Sequence, residues 1–191
     1  PMPLDIFGRH NLNNLAGAKW ICQNMGIDEE DFYEAITSFK GASKRLEKIG
    51  ERRNTIIFKD YAHSPSKVAA TTMAVKEQYP DRKLIACLEL HTYSSLNAEF
   101  LKEYRGSLKE ADVSAVFYIP ESVKIKGLAE ITKDQIGQAF QQQDINIFTN
   151  SAAFQEFLFE QDVTNSIVLF MSSGNYGGLD LNEIVNMIEI N

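Results

Sequence analysis

Two five-residue runs, Leu84-Ile85-Ala86-Cys87-Leu88 and Ile167-Val168-Leu169-Phe170-Met171, are apolar at every position. An extended segment of that kind needs cover on both faces, which a parallel sheet flanked by helices provides. The neighbouring pattern agrees. Strands are expected over 45–50, 55–59, 83–88, 113–119, 145–148 and 166–171. Helices are expected over 65–79, 98–111, 132–142, 151–161 and 181–188. The chain should therefore fold as a doubly wound, Rossmann-like α/β sheet of six strands, mostly parallel. One antiparallel hairpin strand is expected where Glu51-Arg52-Arg53-Asn54 separates the first two runs.

The first forty residues have a different period. Leu12, Leu15, Ala16, Ala18, Ile21 and Cys22 make a helical stripe over 11–25 that stops at Gly26. Asp28 is a natural N-cap for a second helix, striped by Phe32, Ala35, Ile36 and Phe39 and ended by Gly41. Two such helices cannot bury their stripes on each other alone. Residues 1–42 thus read as a helical piece of a neighbouring domain, and 43–191 as the α/β domain.

Charge and cysteine content narrow the function classes. A net charge of −7 argues against a nucleic-acid partner, which needs clustered Lys and Arg. Local basic spots at Lys44, Arg45, Arg52 and Arg53 remain. No apolar run approaches the roughly 20 residues that span a bilayer, and no signal-peptide pattern opens the chain, so a cytoplasmic protein without a membrane partner is expected. Cys22 and Cys87 lack metal-type spacing and read as buried free thiols.

Ligands of open α/β sheets bind beyond the carboxyl ends of the strands. Four segments there are polar or glycine-rich: Asp60-Tyr61-Ala62-His63-Ser64-Pro65, Glu89-Leu90-His91-Thr92-Tyr93-Ser94-Ser95, Pro120-Glu121-Ser122, and Ser172-Ser173-Gly174-Asn175-Tyr176-Gly177-Gly178. They should meet on one rim. Ser64-Pro65 is accounted for as a helix start. Asp60 and His63 are not, and could reach a nucleotide, a phosphate or each other. Gly174, Gly177 and Gly178 read first as a turn into the last helix. Neither G-x-x-x-x-G-K-[ST] nor G-x-S-x-G occurs, so the chain has no P-loop and no hydrolase elbow.

Taken in order, the motifs resemble the Mur ligase family. Gly8-Arg9-His10-Asn11-Leu12-Asn13-Asn14-Leu15-Ala16-Gly17-Ala18 is similar to the stretch that closes the family's central ATPase domain. Phe39-Lys40-Gly41 with Lys44-Arg45-Leu46-Glu47 resembles the junction into its third domain, and Asp60-Tyr61-Ala62-His63-Ser64-Pro65 resembles D-Y-A-H-x-P. The resemblance implies that 1–42 ends the central domain, and that His10, Asn11 and Asn14 lie near the adenine and ribose of ATP. It implies catalytic roles for Arg45, Asp60 and His63, and ATP with magnesium held mainly by domains upstream of Pro1. The reaction implied is activation of a UDP-N-acetylmuramate carboxylate to an acyl phosphate, then attack by an amine; this stretch alone would be inactive.

For the amine, His91-Thr92-Tyr93-Ser94-Ser95 stands where the L-alanine branch carries an arginine-containing H-R-Y-T-R run. Met171-Ser172-Ser173-Gly174-Asn175-Tyr176-Gly177-Gly178 resembles the run of the branch that takes the tripeptide L-alanyl-γ-D-glutamyl-meso-diaminopimelate. The balance favours the tripeptide over L-alanine. His91, Thr92, Ser94, Ser173, Gly174 and Asn175 are the implied substrate contacts. The alternative is a stand-alone α/β module that binds a small ligand at the same rim without ligase activity.

Overall fold

The computed structural model describes residues 4–52, 54–142 and 144–190. Helices α1 (Arg9–Asn24) and α2 (Glu29–Ile36) come first, followed by β1 (Glu47–Arg52), β2 (Thr55–Asp60), α3 (Pro65–Gln78) and β3 (Lys83–Glu89). Then follow β4 (Val113–Phe117), α4 (Pro120–Ile125), α5 (Lys133–Phe140), β5 (Asn146–Phe148), α6 (Ser151–Glu160), β6 (Ser166–Met171) and α7 (Leu181–Ile190). The sheet order is β1-β2-β6-β3-β4-β5. Only the β1–β2 pair is antiparallel, with a register shift between Lys48 and Gly50; the other four pairings are parallel.

The apolar runs lie where their composition requires. β6 is central and buried at every residue, and its alternation splits the core in two. Ile167, Leu169 and Met171 face a layer with Val68 and Val75 of α3, Val123 of α4, and Ile136 and Phe140 of α5. Val168 and Phe170 face Phe154 and Leu158 of α6 with Ile184 and Val185 of α7. The sheet is thus covered on both sides.

Three local expectations change. The helix over 98–111 is replaced by a 3₁₀ turn at Phe100–Tyr104. The Asn97 side chain accepts from the amides of Glu99 and Phe100. Further on, Gly106 takes φ +67° and donates to Phe140 O instead of continuing a helix. Pro120-Glu121-Ser122 is not loop but the first turn of α4, with proline at its start. The hairpin is tighter than expected, since Arg52 pairs with Thr55; Arg53 lies outside the described residues.

The amino-terminal helices are weakly seated: α1 buries no residue and α2 only Phe32. Their attachment runs through Phe7, whose ring meets Phe58 and Tyr79 edge-on at 5.6 and 5.9 Å. Cys87 is buried as expected, whereas Cys22 on α1 is only half-buried. Among the described residues no helix is long and apolar enough to cross a membrane.

Candidate functional site

Parallel register brings the strand ends level, because Asp60 pairs with Met171, Leu88 with Met171 and Glu89 with Phe117. The ladder runs on into the loops through Ser172 N–H to Asp60 O at 3.0 Å and Leu90 N–H to Phe117 O at 2.8 Å. The loops holding Asp60, His91 and Gly174 therefore share one rim.

At the β2 end of the rim the Asp60 side chain is 3% exposed. Its carboxylate accepts from Leu46 N–H at 2.8 Å and from Ala62 N–H at 2.6 Å. Asp60 thus anchors backbone and does not pair with His63. The anchored segment is strained, with Lys44 at φ +56° and Leu46 at +49°, and Tyr61 N–H fastens Lys44 O at 2.8 Å. Arg45, exposed between them, lies with its guanidinium carbon 5.8 Å from the Tyr61 ring centre. His63 meets the same ring edge-on at 5.2 Å. The 2.8 Å contact of His63 Nδ1 with Tyr61 O places the proton on Nδ1 in the neutral ring and leaves Nε2 free to accept.

A cleft of about 390 Å³ between this corner and α1 is lined by His10, Asn14, Arg45, Asp60, Ser66, Lys67, Ala70 and Thr71. Asn14 and Arg45 also line a neighbouring hollow with Asn11. Two cations and several amide or hydroxyl donors there suit a polyanionic nucleotide. Asn11 spends its side-chain N–H on Phe7 O at 2.9 Å. Of the basic spots expected from sequence, Lys44 and Arg45 are at the rim. Arg52 is at the hairpin turn.

The other half of the rim is built on Glu89, which ends the apolar β3 run and is 1% exposed. Its Oε2 accepts from Tyr176 N–H at 2.9 Å and from the Ser172 hydroxyl, while Ser172 Oγ accepts from Gly174 N–H at 2.6 Å. Its Oε1 is 3.7 Å from His91 Nδ1. Gly174 has to be glycine, because a Cβ there would stand 2.7 Å from Glu89 Oε2 and 2.8 Å from the His91 ring. Gly177 is equally constrained, at φ +71° with Ser151 Oγ 2.7 Å from a would-be Cβ. Gly174 and Gly177 are thus closely packed within a turn into α7, whereas Gly178, at φ +88°, has open space beside it. Below it Tyr176, fully buried, donates to Cys87 O at 2.8 Å and Met171 O at 2.9 Å; burial pushes its phenol well above the ordinary tyrosine range. A cleft of about 230 Å³ opens beside the turn, lined by Lys44, Lys59, Asp60, Ser172, Gly174 and Asn175 among others.

Of the expected substrate contacts, His91, Ser173, Gly174 and Asn175 gather around this turn. Thr92 and Ser94 are engaged within their own loop, where Thr92 Oγ1 lies 3.2 Å from Ser94 Oγ and accepts from Ser95 N–H. Tyr61, Glu89, Ser172 and Tyr176 lie within the rim segments read from sequence but were not singled out as site residues, and Lys67 lies outside those segments. A lone carboxylate closing an otherwise apolar strand was the signal for Glu89.

Residues 44–174 match the family model described as "Mur ligase, glutamate ligase domain". Over 174 residues the chain is 26% identical to the UDP-N-acetylmuramate–L-alanine ligase of Desulfitobacterium hafniense, covering 90% of this chain and 38% of that protein. The fold superposes on the UDP-N-acetylmuramate-alanine ligase of Thermotoga maritima with a TM-score of 0.73 at 19% identity, covering 99% of this chain and 39% of that one. It superposes on a murein peptide ligase of Psychrobacter arcticus with a TM-score of 0.68 at 21% identity, covering 98% and 38%. The chain spans about two fifths of the length of these proteins.

Proposed function

The chain belongs to the Mur ligase family, and from that premise we propose that it is the carboxyl-terminal part of an ATP-dependent amide ligase that joins an amino acid or peptide amine to UDP-N-acetylmuramate. The observation that carries this reading is the meeting of His10 and Asn14 of α1 with Arg45 and Asp60 around one cleft, beside a second cleft bounded by the glycine turn. One receives a nucleotide and the other an incoming amine, on the same rim.

Bound ATP would supply the phosphoryl group that activates the muramyl carboxylate. The chain's own residues position and neutralise. Arg45 offers its charge to phosphoryl oxygens, with Asp60 holding the segment that carries it. Asn14 and His10 face the nucleoside side of the cleft, with Asn11 behind them. His63 stands against the same Tyr61 ring as Arg45. Ser172, Gly174 and Asn175 bound the amine pocket, with His91 packed against Gly174, and alignment of the amine is their contribution. Among the described residues no group of three or more His, Cys, Asp or Glu side chains could hold a metal ion. The upstream domains are the partner that completes the site.

The test is ATP-dependent amide formation by the full-length polypeptide that carries this chain, with L-alanine and the tripeptide run side by side. One of the two should be joined with release of ADP, and Arg45→Ala should slow turnover by roughly 10²–10³, the cost of removing one donor to a developing charge. Ligation of neither amine, or full activity in the alanine variants of Asn14, Arg45 and Asp60, would return the chain to the reading of a small-ligand module.

A further inference from the structure

Glu89 is buried between its own loop, which carries His91, and the Ser172–Tyr176 turn more than 80 residues further along the chain. Its Oε2 accepts from Tyr176 N–H at 2.9 Å and from the Ser172 hydroxyl, which in turn takes Gly174 N–H at 2.6 Å. One carboxylate oxygen thus fixes both ends and the middle of the turn over residues 172–176. The other oxygen stands 3.7 Å from His91 Nδ1, and the Gly174 backbone closes over the carboxylate and the ring together. A hydrogen bond to a buried charged acceptor is roughly twice as strong as a neutral one. Removing the acceptor would leave Tyr176 N–H without a partner inside the protein.

We propose that Glu89 is a positioning residue that, through a single buried carboxylate, sets the Ser172–Tyr176 turn that walls the amine pocket and holds that turn against the His91 ring. The pocket assignment rests on the ligase reading above; the linkage of turn and ring does not. Glu89 touches no substrate. It acts by holding the turn that presents Gly174 and Asn175 to the amine cleft in place against His91, so losing it misplaces the amine first; the nucleotide cleft takes no residue of this turn into its lining.

Two readouts separate the two layers. In the 191-residue chain, amide hydrogen exchange and NMR shifts are compared between the native protein and Glu89→Leu, which keeps most of the side chain's bulk and removes both acceptor oxygens. Tyr176 and Gly174 amides should exchange at least about tenfold faster, as expected for loss of a buried hydrogen bond, and the His91 ring resonances should move. Amides of β2 and α3 should keep their protection. Unchanged Tyr176 and Gly174 exchange overturns the proposal. If Glu89→Leu does not fold, Ser172→Ala carries the test: Gly174 N–H should lose protection while Tyr176 N–H keeps it, and an unchanged Gly174 sinks the idea. In the full-length polypeptide, Glu89→Leu should raise KM for the amine about tenfold, equivalent to about 1.4 kcal/mol, with KM for ATP unchanged. Equal losses for both substrates would reduce Glu89 to a merely structural residue. Absence of ligation in the native polypeptide would instead defeat the ligase reading and leave the exchange result to judge the linkage.

Discussion

The helices α1 and α2 and the sheet body are held by different means. In the body, layers of side chains close over both faces of β6, and whole rings are lost from water: Phe154 stacks on Tyr176 with centroids 5.3 Å apart and planes 9° apart. On α1, Trp20 is 67% exposed and Met25 75% exposed, and the ion pair of Lys19 with Glu29 at 2.6 Å joins two surface groups, a kind of contact that contributes little. The proposed nucleotide contacts divide between the two: Arg45, Asp60 and Lys67 belong to the body, His10 and Asn14 to α1. The body supplies the free energy of folding, whereas His10 and Asn14 ride on a helix that buries no residue and follows Phe7, packed on Phe58 and Tyr79.

The contrast can be broken most forcefully in the body. Phe154→Ala should cost about 3–5 kcal/mol, since it empties a fully enclosed aromatic site, read as a lower urea midpoint; a loss under about 1 kcal/mol would show that the α6 layer is not where the core resides. Next comes the join between the two regions. Asp60→Ala strands the amides of Leu46 and Ala62 and should cost about 2–3 kcal/mol, with faster exchange at both amides; unchanged exchange at Leu46 would mean that the segment is held by other contacts. The two thiols compare the regions without any mutation. Burial pushes the Cys87 thiol up, and thiolate is the reactive form, so an aromatic disulfide reagent at neutral pH should label Cys22 in the folded protein and Cys87 only after denaturant is added. Labelling of both at the same rate would erase the distinction. The smallest effect belongs to Trp20→Ala, expected within about 0.5 kcal/mol of the native stability; a loss as large as that of Phe154→Ala would place α1 inside a core.

These differences also mark what the sequence could disclose. Five consecutive apolar side chains, short and set between helical stretches, marked β3 and β6 as strands buried on both faces, and the helix-strand alternation implied a mostly parallel sheet; the strand order came only with the coordinates. The 3₁₀ turn at Phe100–Tyr104 was hidden because its apolar residues keep a helical spacing, while the decisive events are a side-chain bond at Asn97 and a left-handed Gly106. The rim was legible as four polar segments after strands. Its wiring was not, because bonds such as Tyr176 N–H to Glu89 join residues 87 positions apart. Asp60 illustrates the point: a motif singles it out, yet only coordinates reveal that its oxygens are committed to the backbone of Leu46 and Ala62.

The left-handed pair at Lys44 and Leu46 gives the peptide carrying Arg45 little latitude of its own. Fixed to β2 at both flanks, that peptide would travel with the sheet as a rigid lever, so any approach of the sheet toward a nucleotide held elsewhere would deliver the guanidinium as part of the same stroke.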